Sequence, residues 1–246
     1  MHKKSYIFCE ESFFIPFQSQ SKGTHSVSTD EWIEFDNEIP KSKEMTSCQW
    51  IRTKYFNRDP AFQLWSYCTV AHVNDKMGCI DLYLGNSKKS MNRNVFMTVQ
   101  MKYETIVKRS VELKNFRHRT WVFLCLALSS ITGETKFYYN GNLIATELGL
   151  VNKNATLLQN SLEMYDFALI FGQEPDKIRG DFDEYQAFIG DLAELNIWNF
   201  VFNQTEIINM AQCKNWRKGN VVAWRKQNIT IPVSYTHLTL PTSDLV

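Results

Sequence analysis

The sequence predicts an all-β fold in which two antiparallel sheets pack face to face, with one short α-helix. Three observations support this prediction: a series of short segments rich in aromatic and β-branched residues, one strong hairpin turn, and a single helix-capping signal. The chain has 246 residues, of which 44% are hydrophobic, so it can bury the core of one large domain. We therefore predict one domain.

The predicted strands are apolar segments separated by polar stretches. They are CQWIRTKYF (48–56), FQLWSYCTV (62–70), VFMTVQM (95–101), WVFLCLAL (121–128), TKFYYNGNLIATE (135–147) and DFALIFG (166–172). The segment at 121–128 is the most apolar, but a membrane-spanning helix needs about 20 residues. We interpret it as a buried strand and predict no membrane span.

A further strand is predicted at 191–199, DLAELNIWN. In this segment Ala193, Leu195 and Ile197 alternate with polar residues and Trp198. Alternation with a period of two places the first three on one face, towards the core. The same pattern places a large aromatic side chain on the opposite face.

Turn and helix signals are each found once. Asn140-Gly141 lies between two apolar stretches, and both residue types tolerate the positive φ angles of a type I′ hairpin turn. Asn203 is a candidate N-cap, and Glu206 three positions later completes a capping-box-like arrangement. The predicted helix ends near Cys213.

Charge and motif content argue against several classes of function. Lysine and arginine total 27 and aspartate and glutamate 26, so the chain lacks the basic surplus of a nucleic-acid-binding protein. The five histidines are scattered, and the sequence contains no HExxH, GxSxG or glycine-rich phosphate-loop motif. A glycosidase requires two carboxyl groups that face each other across a cleft. Here the acidic residues that stand out lie together in one loop, at 172–186. We predict that the protein is not an enzyme.

Cysteines and glycosylation sequons point to an oxidising, extracellular compartment. The cysteines are Cys9, Cys48, Cys68, Cys79, Cys125 and Cys213. None forms a CxxC pair, which argues against zinc, and their even number suits disulfide bonding. Sequons at Asn154, Asn203 and Asn228 predict a secreted glycoprotein.

The segment from Gly172 to Gln186 carries the most informative pattern. Its acidic residues are Glu174, Asp176, Asp181, Asp183 and Glu184. Clustered carboxylates repel one another unless water screens them or a cation lies among them. Calcium prefers six to eight oxygen ligands, and the amide of Gln186 adds a further oxygen. Since the EF-hand spacing is absent, the composition leaves two interpretations open: a calcium site and a solvated acidic loop.

Beyond composition, the sequence GQEPD…GDFDEYQAFIGDLAELNIWNFVF resembles the pentraxin pattern GQEQD…GxFxxxQSxxGxIxxxNxWxxVL. Upstream, EWIEFDNEIPKSKEMTSCQWIRT and FLCLALSSITGETKFYYNG resemble further strands of that family, and NVVAWRK resembles its final strand. The resemblance covers about residues 11–232. It implies a jelly-roll sandwich of the concanavalin or laminin-G type.

The resemblance also implies a site for two adjacent calcium ions, which together hold a phosphate or carboxylate of a ligand. Glu174 and Asp176 match the first two acidic ligands, and Pro175 matches a position that contributes only its backbone carbonyl. Asp183 matches an acidic ligand of the outer ion, but it is one methylene shorter than the usual glutamate. Gln186 matches the amide ligand.

The family also supplies an Asp-Asn pair from an earlier loop. Here Ser66-Tyr67 is followed by Asn74-Asp75, in reversed order, and we predict these two as further calcium ligands. An ordinary turn is the alternative, because Asn-Asp is a common turn dipeptide. Cys68 and Cys79 flank this loop, and a disulfide between them would fix its ends.

Cys48 and Cys125 match the disulfide of the family, which would close a loop of about 77 residues. Cys9 and Cys213 remain as a third pair by elimination. Around its second cysteine the family has His-x-Cys-x-Ser/Thr-Trp, whereas this chain has FLCLAL at 123–128. Segment 85–119, where the family builds its ligand pocket, does not align.

The function that the resemblance implies is calcium-dependent, lectin-like pattern recognition in innate immunity. The ligands would be phosphate-bearing or carbohydrate groups on cell or microbial surfaces, and the domain would form a cyclic homo-oligomer such as a pentamer. The alternative is an adhesion or receptor ectodomain module that binds protein partners, with calcium structural or absent.

We divide the chain into a pentraxin-like domain at 11–232, an N-terminal extension at 1–10, and a tail at 233–246. The tail is rich in hydroxyl residues and resembles terminal sequences of unrelated predicted proteins, so we interpret it as non-native read-through. The N-terminal residues MHKKSYIFCEESFF lack the apolar region of a signal peptide. We therefore expect the true start to lie upstream, or the chain to be a module of a larger protein.

Overall fold

A computed structural model describes residues 14–18, 27–35, 39–54, 62–71, 76–86, 94–103, 105–159, 164–224 and 229–230. The predicted ligands Asn74 and Asp75, the sequon residue Asn228 and Cys9 lie outside the described residues. The same holds for the extension at 1–10 and the tail at 233–246.

The strands, numbered in chain order, form two large antiparallel sheets. The first sheet has the order β1 (Phe14–Phe17), β14 (Gly190–Trp198), β3 (Glu44–Thr53), β8 (Val122–Ser129), β9 (Glu134–Tyr139) and β10 (Asn142–Leu148), with β15 (Val222–Ala223) also pairing with β14. The second has the order β16 (Ile229–Thr230), β2 (Ile33–Phe35), β11 (Met164–Phe171), β4 (Phe62–Ala71), β5 (Met77–Asn86), β6 (Val95–Lys102) and β7 (Ile106–Glu112). A small hairpin, β12 (Pro175–Lys177) and β13 (Gly180–Phe182), and one helix, α1 (Gln204–Ala211), complete the fold. The predicted two-sheet fold is confirmed.

The main core lies between the two large sheets. Strand β8 shows how it is built, because all of its residues are buried. Leu124 and Leu126 point into the main core, whereas Phe123 and Cys125 point to the opposite side of the sheet. Helix α1 packs on that side through Ile207, so β8 is covered on both faces. This explains why its sequence is apolar throughout instead of alternating.

Strand β14 corrects one detail of the predicted pattern. Leu195 and Ile197 face the main core as predicted, but Ala193 lies on the opposite, helix-covered face. The pairing with β3 is interrupted between Ala193 and Asn196, where Glu194 has a φ of 52°. Such a β-bulge inserts an extra residue and shifts the phase of the strand. Trp198 lies on the helix side and is buried there.

The local turn and helix predictions are both confirmed. Asn140 and Gly141 have φ angles of 50° and 84° and connect β9 to β10. At the start of α1, the side chain of Asn203 accepts a hydrogen bond from the Glu206 amide, and the Glu206 carboxylate accepts one from the Asn203 amide.

Candidate functional site

The segment from Gly172 to Phe188, which we call the acidic hairpin, connects β11 of the second sheet to β14 of the first. Its ends are held together because the Phe188 amide donates to the Gly172 carbonyl at 2.8 Å, and the Gly172 amide donates to Leu64 at 3.2 Å. Gly172 has a φ of 87°, and the Phe17 ring occupies the space that a side chain there would need. The base of the hairpin is therefore fixed, and residue 172 must be glycine.

The tip of the acidic hairpin is held down by Arg179. Its guanidinium binds both carboxylate oxygens of Asp166 at 2.7 and 2.8 Å, and it donates to the Glu34 carboxylate at 2.6 Å. It also donates to the Phe167 carbonyl at 2.8 Å. Nη1 makes both contacts with Asp166, Nε binds Glu34 and Nη2 binds Phe167, so all three guanidinium nitrogens are used. Hydrogen bonds between charged groups are stronger than neutral ones. Arg179 thus ties the hairpin to β11 and β2 of the second sheet.

The predicted ligands occupy different depths in the acidic hairpin. Glu174 is 3% exposed, whereas Asp176 and Asp183 are exposed. One carboxylate oxygen of Asp183 accepts a hydrogen bond from the Tyr185 amide at 2.9 Å. Gln186 is half-buried, and its backbone amide donates to the Asp183 carbonyl at 2.9 Å. Pro175 lies in β12, and its backbone carbonyl is the only polar group with which it could bind a metal ion.

The carboxylates of Glu174, Asp176 and Asp183 do not converge on one point. Among the described residues, the only group of three potential metal-ligating side chains within 4.8 Å consists of Cys68, Cys79 and Asp81. Both cysteines are in a disulfide, so this group has no thiolate to offer. The hairpin donors are carboxylate, amide and carbonyl oxygens, which is the type of donor set that calcium prefers. Their chemistry therefore fits calcium.

A second set of charged residues lies beside Glu174, and the sequence reasoning missed it. Lys102 forms an ion pair with the Glu174 carboxylate, and its ammonium lies 3.7 Å from the second oxygen of Asp81. Asp81 is 1% exposed. We call Asp81, Lys102 and Glu174 the charge cluster. It lies on the outer face of the second sheet, opposite the core residues Ile80 and Leu82 of the same strand.

Burial sets the electrostatics of the charge cluster. The pKa of Asp81 is raised because burial disfavours its charged form, and the nearby Lys102 ammonium opposes that rise. A sequence signal existed for Asp81, since it is the one acid in the apolar strand GCIDLYL. Its partner could not be found, because Glu174 is far away in the chain.

Two predicted disulfides are confirmed. Cys48 bonds to Cys125 across β3 and β8, and Cys68 bonds to Cys79 across β4 and β5. Cys213 is also disulfide-bonded, and its predicted partner Cys9 lies outside the described residues.

Two sequon residues can be placed. Asn154 is exposed in the loop after β10, with a φ of 65°. Asn203 is exposed at the start of α1, where its side-chain oxygen serves as the helix cap. The cap uses the oxygen only, so the amide nitrogen of Asn203 remains available for a glycan.

Together, the fold and the acidic hairpin define a β-sandwich domain with oxygen donors on one inter-sheet connection. The Pentaxin family model matches residues 22–235, so the chain belongs to the pentraxin family. Proteins of this family are non-enzymatic recognition proteins that typically bind ligands with calcium, and homologues of the chain are extracellular.

Three relatives show the extent of the likeness. C-reactive protein 1.4 of Limulus polyphemus is 26% identical over 198 residues, which cover 76% of this chain and 71% of that protein. Neuronal pentraxin-2 of Mus musculus is 44% identical over 63 residues, which are 26% of this chain but only 15% of that protein. The crystal structure of a native heptameric SAP-like pentraxin from Limulus polyphemus has a TM-score of 0.68 and 18% identity, covering 92% of this chain and 93% of that one. At this identity, the structural likeness concerns the fold.

Within the described ranges, no helix is both long and apolar enough to cross a bilayer.

Proposed function

We propose that the domain recognises phosphate-bearing or carbohydrate ligands on cell or microbial surfaces through two calcium ions bound at the acidic hairpin. The main support is that a short segment rich in oxygen donors is fixed at its base by Gly172 and at its tip by Arg179. Because the backbone of this segment is already held, it loses less conformational entropy when its side chains gather around a cation. Membership of the pentraxin family supports the same function.

The arrangement of the hairpin suggests how its residues would act. Glu174 offers a carboxylate from the buried side, whereas Asp176 and Asp183 approach from the solvent side. The Pro175 carbonyl and the Gln186 amide would add neutral oxygens, and Asn74 and Asp75 would add donors from the β4–β5 loop. Bound calcium would supply open coordination positions on the solvent side, which oxygens of the ligand fill. Asp183 is short for its role and would hold the outer ion weakly.

Isothermal titration of calcium into the purified protein tests this proposal. The wild type should give saturable heat, and Glu174→Gln should weaken binding by about tenfold or more, since a charged ligand is lost. Glu184→Gln is the matched control: it changes the charge of the same hairpin at a residue that we do not assign as a ligand. Heat no larger than dilution for the wild type would contradict the proposal.

Ligand binding and assembly need separate measurements. A resin carrying phosphoethanolamine should retain the protein in calcium and release it in EDTA. We also propose a cyclic homo-oligomer, since the Limulus pentraxin of similar fold is a heptamer. The expectation of a ring of five comes from the family resemblance alone. Sedimentation equilibrium should give a multiple of the 28.8 kDa chain mass, and the mass of a single chain would contradict the ring.

The charge cluster favours a second candidate function. Lys102 already neutralises Glu174 without any metal, which suits an adhesion or receptor module whose protein binding does not depend on calcium. Partner binding that persists in EDTA would support this candidate over the first.

A further inference from the structure

We propose that the Lys102 ammonium is a built-in competitor of calcium: it occupies the cation position at Glu174, and calcium binds there only by displacing it. This inference rests on the proposed calcium function and deepens it. It assigns to Lys102, which is not a ligand, the role of setting the calcium concentration at which the domain becomes active.

The first support is the charge balance of the cluster. Glu174 and Asp81 are 3% and 1% exposed, and one ammonium serves both. Buried carboxylates are costly unless they are paired with a positive charge. When both carboxylates are ionised, a single ammonium leaves the cluster with one net negative charge. A divalent cation that joined Lys102 would make the cluster positive, so its binding favours departure of the ammonium.

The second support is the geometry around Asp81. Its second carboxylate oxygen is buried and has no hydrogen-bond partner among the described residues. Lys102 Nζ lies 3.7 Å from this oxygen, which is beyond hydrogen-bond distance, while it contacts Glu174. The Gln63 amide lies 3.5 Å from the other oxygen of Asp81, and the side chains of Ser66 and Gln100 also hydrogen-bond to this carboxylate. The ammonium position is thus flanked by two buried carboxylates.

The third support is the ability of Lys102 to leave. It is the last residue of β6, and 26% of its side chain is exposed. A lysine ammonium is a point charge on a flexible stem, so it can move to solvent without disturbing the strand. The aliphatic stem can remain packed after the charge has left. Calcium at Glu174 would repel the ammonium and favour this movement.

Lys102→Met tests the inference, because methionine keeps an unbranched stem and removes the charge. Calcium affinity measured by titration should rise by about tenfold or more relative to the wild type. Lys177→Met is the matched control: it removes a lysine that pairs with Asp181 at 2.6 Å in the same hairpin, on its exposed surface. Its calcium affinity should change by about twofold or less, since exposed charges are screened.

Thermal unfolding provides a readout that is independent of titration. In EDTA, Lys102→Met should unfold at a lower temperature than the wild type, because two buried carboxylates lose their counter-ion. Calcium should then raise its unfolding temperature by more than it raises that of the wild type. If the variant does not fold in EDTA, the double variant Asp81→Asn/Lys102→Met removes one buried charge and serves in its place. Its affinity should still exceed that of Asp81→Asn alone.

The outcomes separate this inference from the proposed function. Tighter calcium binding by Lys102→Met, with Lys177→Met unchanged, supports the competitor role. Equal affinities of Lys102→Met and the wild type overturn the inference and leave the calcium function in place. If the wild type and both variants give no binding, the inference and the calcium function are both overturned.

Discussion

The outer faces of the two sheets are built from opposite chemistry. On the first sheet, Phe123 and Trp198 form a dry surface that α1 covers with Ile207 and Met210. On the second sheet, strands β4, β5 and β6 place a group of polar side chains on the outer face: Gln63, Ser66, Asp81, Thr98, Gln100 and Lys102. Each face carries one cross-strand disulfide. The first face therefore mainly stabilises the fold, whereas the second places charged side chains beside the acidic hairpin.

The two disulfides give the largest expected difference between the faces. Replacing Cys48 and Cys125 by alanine should lower the free energy of unfolding by about 4–5 kcal/mol, because the bond closes a loop of 77 residues. Replacing Cys68 and Cys79 should cost about 3 kcal/mol, since that loop has 11 residues. Urea unfolding measures both.

Only the replacement of Cys68 and Cys79 should also weaken calcium binding, because this pair flanks the predicted ligands Asn74 and Asp75. If the first pair weakens it equally, the two faces are not independent.

Ile207→Ala tests the dry face alone. Ile207 is fully buried under the first sheet, and its truncation should lower the free energy of unfolding by about 3 kcal/mol. Ile208→Ala is a matched control on the same helix, where the side chain is only half-buried, so its cost should be clearly smaller. Calcium titration of both variants should match the wild type. A loss of calcium affinity in Ile207→Ala would show that the helix supports the hairpin.

Arg179→Gln tests the charged face. The variant should lose about 1–2 kcal/mol of stability, because the ion pairs with Asp166 and Glu34 are removed but the arginine is partly exposed. The hairpin tip should also loosen, so chymotrypsin should cleave near Phe182 and Tyr185 faster in EDTA than it does in the wild type. Lys177→Gln provides the control, with the same change of charge two residues away. Equal cleavage of wild type and Arg179→Gln would rule out the anchoring role.

The smallest expected effect is a pH dependence from His118. Burial lowers its pKa because desolvation disfavours the charged ring, with a partial opposing effect from a backbone hydrogen bond at Lys54. The unfolded chain therefore binds this proton more readily than the folded protein does. Its contribution to stability is complete above about pH 6.5 and is lost as the pH falls towards the lowered pKa. The drop in urea midpoint between about pH 7.5 and pH 5.5 should be smaller in His118→Gln. A larger drop in the variant would contradict this sign.

Local patterns account for the parts of the structure that the sequence predicted well. The Asn140-Gly141 turn and the Asn203 cap depend on residues close together in the chain, so their chemistry is visible in the sequence. The sequence did not predict the bulge near Ala193, because the alternation of residues along a strand does not show where an extra residue is inserted. The ion pair between Lys102 and Glu174 was missed because it depends on the packing of distant segments.

Calcium bound at the acidic hairpin would displace Lys102 from Glu174. A crystal structure grown in millimolar calcium, with an anomalous difference map recorded where calcium scatters, can show both events. We expect two peaks near Glu174, Asp176, Asp183 and Gln186, with the Lys102 ammonium moved away. A featureless map with Lys102 still paired to Glu174 would contradict this expectation.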